Sequence, residues 1–125
     1  LDYPIFPYTK ALYLTKDSGD GFNPNSQALF EAILSLKSLD EAKQFFRDLL
    51  SEQEIIEFSK RWQTVRMLEQ GISYTKIQKA TGLSSTTVAR ISKWLNSGMG
   101  GYKLVLDRMS KVHKHNLFAV KQLRK

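Results

Sequence analysis

The sequence predicts an all-α domain organised around a helix–turn–helix, and three observations carry that expectation. Apolar residues between Ser26 and Met109 recur at three- and four-residue steps, the spacing of one helix face. Serines and glycines stand where such helices would start and stop, at Ser38, Ser51, Gly71, Ser73, Gly82 and Ser84. The excess of basic residues gathers after Gly71. A length of 125 residues supports one domain, or one small core with appended arms. With 42% hydrophobic and 25% charged residues, the chain has the composition of a folded globular protein and not of a disordered one. The lack of cysteine excludes disulfides, thiolate catalysis, iron–sulfur clusters and cysteine-bound zinc. No run approaches the roughly 18 to 20 apolar residues that cross a bilayer, and the start lacks a secretory signal pattern. The expected location is the cytoplasm, with no membrane partner.

Residues 1–25 are expected to form an arm. Pro4, Pro7, Pro24 and Gly19-Asp20-Gly21 interrupt helices, while Tyr3, Phe6, Tyr8 and Tyr13 need a surface to cover. The first helix is expected from Ser26, where Leu29, Phe30, Ile33, Leu34 and Leu36 form a stripe. Ser38 can cap a second, in which Ala42, Phe45, Phe46, Leu49 and Leu50 face one way and Glu41, Lys43 and Asp48 the other. Both helices are short and need partners.

Ser51-Glu52-Gln53-Glu54 has the form of a capping box and opens a third helix, predicted to reach about Gln70 with Gly71 ending it. It carries Ile55, Phe58, Trp62 and Val65 on one stripe, with Ile56, Met67 and Leu68 beyond it. Apolar groups on more than one face of a helix in so short a chain point to a helix shared with a second copy.

The segment Ser73–Asn96 is the most informative. Ser73 caps a helix of roughly two turns, Gly82 ends it in a position suited to the left-handed conformation, and Ser84 caps the next helix. This is helix–turn–helix punctuation. Ile77, Leu83, Val88, Ile91 and Leu95 form the expected inward set, which leaves Ser85, Thr86, Ala89, Arg90 and Lys93 outward on the second helix. Small polar groups let a backbone approach base edges, the alanine methyl can touch a thymine methyl, and a helix N-terminus favours phosphate. The same corner also serves protein contacts in other chains, so composition alone leaves both uses open.

Gly98-Met99-Gly100-Gly101 is expected to act as a hinge, because it lacks the lysine and preceding strand of a nucleotide-binding loop. A last helix follows from Tyr102, expected to bury Tyr102, Leu106 and Met109 or Val105. Residues 110–125 form a basic tail, with Lys111, Lys114, Lys121, Arg124 and Lys125 around Leu117, Phe118, Val120 and Leu123, suited to a solvated helix or a phosphate-seeking extension.

The net charge of +7 divides unevenly. Residues 1–40 hold 3 basic and 5 acidic residues, residues 41–70 hold 5 and 6, and residues 71–125 hold 11 and 1. A strongly basic half joined to a slightly acidic one is the footprint of a polyanion binder. Catalysis and metal binding are not expected. His113 and His115 lie two residues apart, which does not place them on one helix face, and no carboxylate cluster adjoins them. No serine sits in a nucleophile elbow, and most acidic residues fall on amphipathic helices.

Leu49-Leu50-Ser51-Glu52, Lys60-Arg61, Gly71, the whole Ser73–Asn96 segment and Gly100-Gly101-Tyr102-Lys103-Leu104 together resemble the tryptophan repressor superfamily, in its bacterial Trp-repressor-like branch. The resemblance spans roughly residues 26–109. It implies a domain there flanked by the arm and tail, an all-helical intertwined homodimer, and two helix–turn–helix heads set in successive major grooves of double-stranded DNA. The implied function is sequence-specific binding by a transcriptional repressor. A protein-interaction module and a non-specific nucleic-acid or nucleoid binder are the alternatives. The candidate DNA-binding set is Thr75, Lys76, Gln78, Lys79, Ser85, Thr86, Ala89, Arg90 and Lys93. No cofactor is required by the residues themselves. The resemblance brings L-tryptophan or another small effector, with Ser51, Arg61 and Arg90 at the matching positions. Two departures bear on that pocket: Ile91 stands where the repressor has a glycine, and Trp94 where it has a serine.

Overall fold

A computed structural model describes residues 19–123, with side chains as far as His113. The described residues form six helices: α1 (Pro24–Leu34), α2 (Leu39–Leu49), α3 (Glu52–Glu69), α4 (Tyr74–Thr81), α5 (Ser85–Ser97) and α6 (Gly101–Leu123). They fall into two compact units that meet between Ser51 and Glu52.

In the first unit, α1 begins two residues earlier than the sequence suggests. Asn23 is its N-cap: the Asn23 side-chain oxygen accepts from the amides of Asn25 at 2.8 Å and Ser26 at 2.9 Å, and the Ser26 hydroxyl accepts from the Asn23 amide at 2.9 Å. Pro24, expected to break a helix, instead starts one. At the first helical position its missing N–H is one that has no intrahelical partner in any case, and its fixed φ is already helical. Ser38 caps α2 as expected, accepting from the Glu41 amide at 3.1 Å. Neither helix contains a buried residue; Phe22 meets Phe30 edge-on at 6.0 Å, and Leu34 and Leu39 are exposed.

The second unit is built on α3. Its C-terminus closes with paired bonds, from the Ile72 amide to the Met67 carbonyl at 3.1 Å and from the Gly71 amide to the Leu68 carbonyl at 3.0 Å. These are the two bonds of a Schellman ending, with Gly71 at φ 77°. α4 and α5 pack on α3 and on each other, and α6 packs on α5. Val65, Ile91 and Leu95 form the centre of this core, with Trp62, Leu68, Leu83, Tyr102 and Leu106 around them; Ile77 and Val88 are fully buried. Burial of such side chains contributes roughly 1.5 to 3 kcal/mol each.

α6 departs from expectation in what it covers. Tyr102 and Leu106 are half-buried, whereas Val105 and Met109 are 42% and 55% exposed. Successive residues of a helix point about 100° apart, so a helix docked through Tyr102 and Leu106 carries Val105 off to the side, whereas Met109 points close to the docked face and is exposed one turn past Leu106, the last α6 residue packed on the core. Its backbone remains helical through Leu123, across most of the basic tail.

Candidate nucleic-acid interface

The geometry of the helix–turn–helix follows from four short-range devices. The Ser73 hydroxyl accepts from the Lys76 amide at 3.4 Å and starts α4. Gly82 ends it at φ 74°, a left-handed conformation that an L side chain enters only at a cost. The Thr81 hydroxyl donates to the Ile77 carbonyl at 2.8 Å and accepts from the Leu83 amide at 3.2 Å, so this buried hydroxyl is satisfied on both sides. The Ser84 hydroxyl accepts from the Thr87 amide at 3.1 Å and lies 2.9 Å from the Thr87 hydroxyl, which starts α5. The cap thus engages Ser84 and Thr87, while Ser85 and Thr86 stand exposed between them.

α5 is divided by its helical period. Val88, Ile91 and Leu95 are buried, and Ser85, Thr86, Ala89, Arg90 and Lys93 are all exposed on the other side. On α4, Thr75, Lys76 and Lys79 are exposed and Gln78 is half-buried beside the fully buried Ile77. Neither helix has an acidic residue in its first turn, so the partial positive charge of each N-terminus is left uncancelled. Two ion pairs, Lys60–Glu57 at 3.7 Å and Lys111–Asp107 at 3.1 Å, lie outside α4 and α5. The second of these ties up the one acidic residue that follows Gly71 in the sequence.

Sequence reasoning missed one polar contact here. The Tyr74 phenol at the start of α4 donates to the Ser92 hydroxyl of α5 at 2.7 Å. An eighteen-residue separation with no periodic relation leaves no signal of it in the sequence.

The residues matched to an effector site are placed as follows. Ile91 is 1% exposed and packs with Val65 and Leu95, so it belongs to the core. The Arg61 guanidinium lies over the Phe58 ring, 5.5 Å from its centre, and both Arg61 and Arg90 are exposed. Ser51 is exposed and belongs to the first unit. A cleft of about 840 Å³ opens elsewhere, between Trp62, Trp94, Met99, Tyr102 and Val105. A second, of about 580 Å³, is lined by Trp62, Arg66, Glu69, Leu106 and His113 among others. Arg61 and Arg90 line neither. Among the described residues, no group of three or more His, Cys, Asp or Glu is placed to hold a metal ion, and no helix is long and apolar enough to cross a membrane.

Comparison with known proteins bears directly on this arrangement. Residues 25–110 match the family described as Trp repressor protein. The chain belongs to the Trp repressor family. Two solved structures share the fold: a TrpR-like protein from Eubacterium eligens, at 41% identity and a TM-score of 0.66 over 69% of this chain and 89% of that one, and a candidate Trp repressor from Staphylococcus aureus, at 34% identity and a TM-score of 0.68 over 77% and 96%. The uncharacterized protein YerC of Bacillus subtilis is 43% identical over 81 residues, 65% of this chain and 78% of its own length. Membership of the Trp repressor family points to a helix–turn–helix DNA-binding regulator, and the matched span includes α4, α5 and the turn between them.

Proposed function

We propose that this chain is a sequence-specific binder of double-stranded DNA that represses transcription as a homodimer. The observation that carries the reading is the exposed Ser85, Thr86 and Ala89 at the acid-free start of α5, with Lys79, Arg90 and Lys93 exposed on the same two helices. In this reading Ser85, Thr86 and Ala89 meet base edges in a major groove. Thr75, Lys76, Gln78 and Lys79 engage the phosphate backbone from α4, and Arg90 and Lys93 continue that contact from α5. Phosphate contacts fix register and supply most of the affinity, while the small hydroxyl and methyl groups supply discrimination.

A dimer gives each head a half-site one helical turn from the other. The apolar groups exposed on α3 and α6, among them Phe58, Val105 and Met109, supply the surface such a dimer needs. DNA binding in this reading does not require L-tryptophan, because Ile91 occupies core space against Val65 and Leu95. The chain acts by binding and not by catalysis.

Selection of duplexes from a random pool by the full chain, with and without L-tryptophan, tests this. A two-fold symmetric consensus is expected under both conditions. Affinity for the selected duplex should fall roughly 10³- to 10⁵-fold between 50 and 200 mM salt, the response of a protein neutralising about 6 to 10 phosphates. Thr86→Glu should abolish retention while leaving thermal stability intact. Salt-insensitive association, or unchanged retention of that variant, would favour a protein-interaction module, and binding without a consensus would favour a nucleoid-type role.

A further inference from the structure

We infer that the Tyr74–Ser92 hydrogen bond is the strut that sets the angle between α4 and α5, and that Tyr74 is thereby a positioning residue for duplex binding; this rests on the reading proposed above. The two helices meet at one end through the Gly82 turn, where Leu83 packs against the core and Thr81 satisfies the backbone. The far end of α4 is joined to α3 through Ile72 and Ser73, and α4 packs on α3 as well, so what ties that end to α5 is a contact between side chains. There the Tyr74 phenol reaches across to the Ser92 hydroxyl at 2.7 Å. Tyr74 is the first residue of α4, next to the candidate phosphate contacts Thr75 and Lys76. Ser92 follows Val88 by one turn on α5 and precedes Lys93, at the border between the buried and exposed stripes.

The leverage is large. An eight-residue helix is about 12 Å long, so a swing of about 10° at the Gly82 turn moves its N-terminus by about 2 Å. That exceeds the tolerance of a hydrogen bond to phosphate. Ile77, fully buried at the middle of α4, holds the helix on a shorter arm.

Affinity for a duplex selected by the wild-type chain provides the test. Tyr74→Phe and Ser92→Ala should each weaken binding by about 3- to 10-fold, the range that one hydrogen bond spans. The double variant should lose no more than either single, Ser92→Thr should retain wild-type affinity, and thermal midpoints should stay close together. Amide exchange over α4 should rise in Tyr74→Phe in the absence of DNA. A wild type that binds together with a Tyr74→Phe chain that binds equally well overturns the strut alone, as do additive losses in the double variant. A wild type that retains no duplex overturns the inference and the reading beneath it.

Discussion

Ile91 occupies the space between α3 and α5 that a smaller residue would leave open, and it does so as a core residue in contact with Val65 and Leu95. Ile91→Ala should therefore cost about 2 to 5 kcal/mol, the sum of lost transfer energy and a residual cavity. A urea titration should show this as a lower midpoint with an unchanged slope; a variant as stable as wild type would mean that α5 closes over the gap. The aliphatic core was legible in the sequence because Ile77, Val88, Ile91 and Leu95 follow helical spacing around a glycine stop, and all four are buried. Thr64 and Thr81 were not legible as core residues. Each is buried with its hydroxyl donating to a carbonyl one turn back in its own helix, at 2.9 Å for Thr64 and 2.8 Å for Thr81, and a threonine satisfied in this way is indistinguishable by type from one that faces water.

At the scale of the element, the start of α5 depends on a single hydroxyl. Ser84 serves the Thr87 amide and sits beside the Thr87 hydroxyl, so Ser84→Ala removes an N-cap and should destabilise the fold by about 1 kcal/mol. Ser84→Asp should restore that stability, because a carboxylate caps equally well and favours the helix N-terminus. Where phosphate approaches the same end, the aspartate should nonetheless weaken duplex binding. Thermal melts and duplex titrations on the two variants separate the effects, and equal behaviour in both assays would remove α5's N-terminus from the interface. Punctuation of this kind made the starts of α2, α4 and α5 and the end of α3 readable from Ser38, Ser73, Ser84 and Gly71. The start of α1 was misplaced because proline is both a helix breaker and a favoured first residue, and only the Asn23 cap decides between the two. The tail left a solvated helix and a phosphate-seeking extension equally open, since basic residues around sparse apolar ones suit both; the backbone through Leu123 is helical.

At the scale of the whole molecule, every fully buried residue among those described lies between Thr64 and Leu95. That is a small core for the residues described, and it leaves large apolar groups among them outside it. Val105, Met109 and Val112 recur along α6 at four- and three-residue steps, all exposed, which is the pattern of a helix face awaiting a partner. A second copy satisfies this pattern on both chains at once, because a two-fold interface uses the same patch twice. The sequence signalled the same need through the apolar groups spread around α3, but it could not say which side of α6 stayed free, since that depends on the direction from which Tyr102 and Leu106 dock. Replacing Val105 and Met109 together by glutamate should place four carboxylates in the interface of a dimer and none in the core of a single chain. Sedimentation should then find the wild type as a dimer and the variant as a monomer of comparable helical content. The variant should also bind a two-fold symmetric duplex far more weakly, because one head alone reaches one half-site. A wild type that sediments as a monomer, or a variant that remains a dimer, would place the self-association surface elsewhere or remove it.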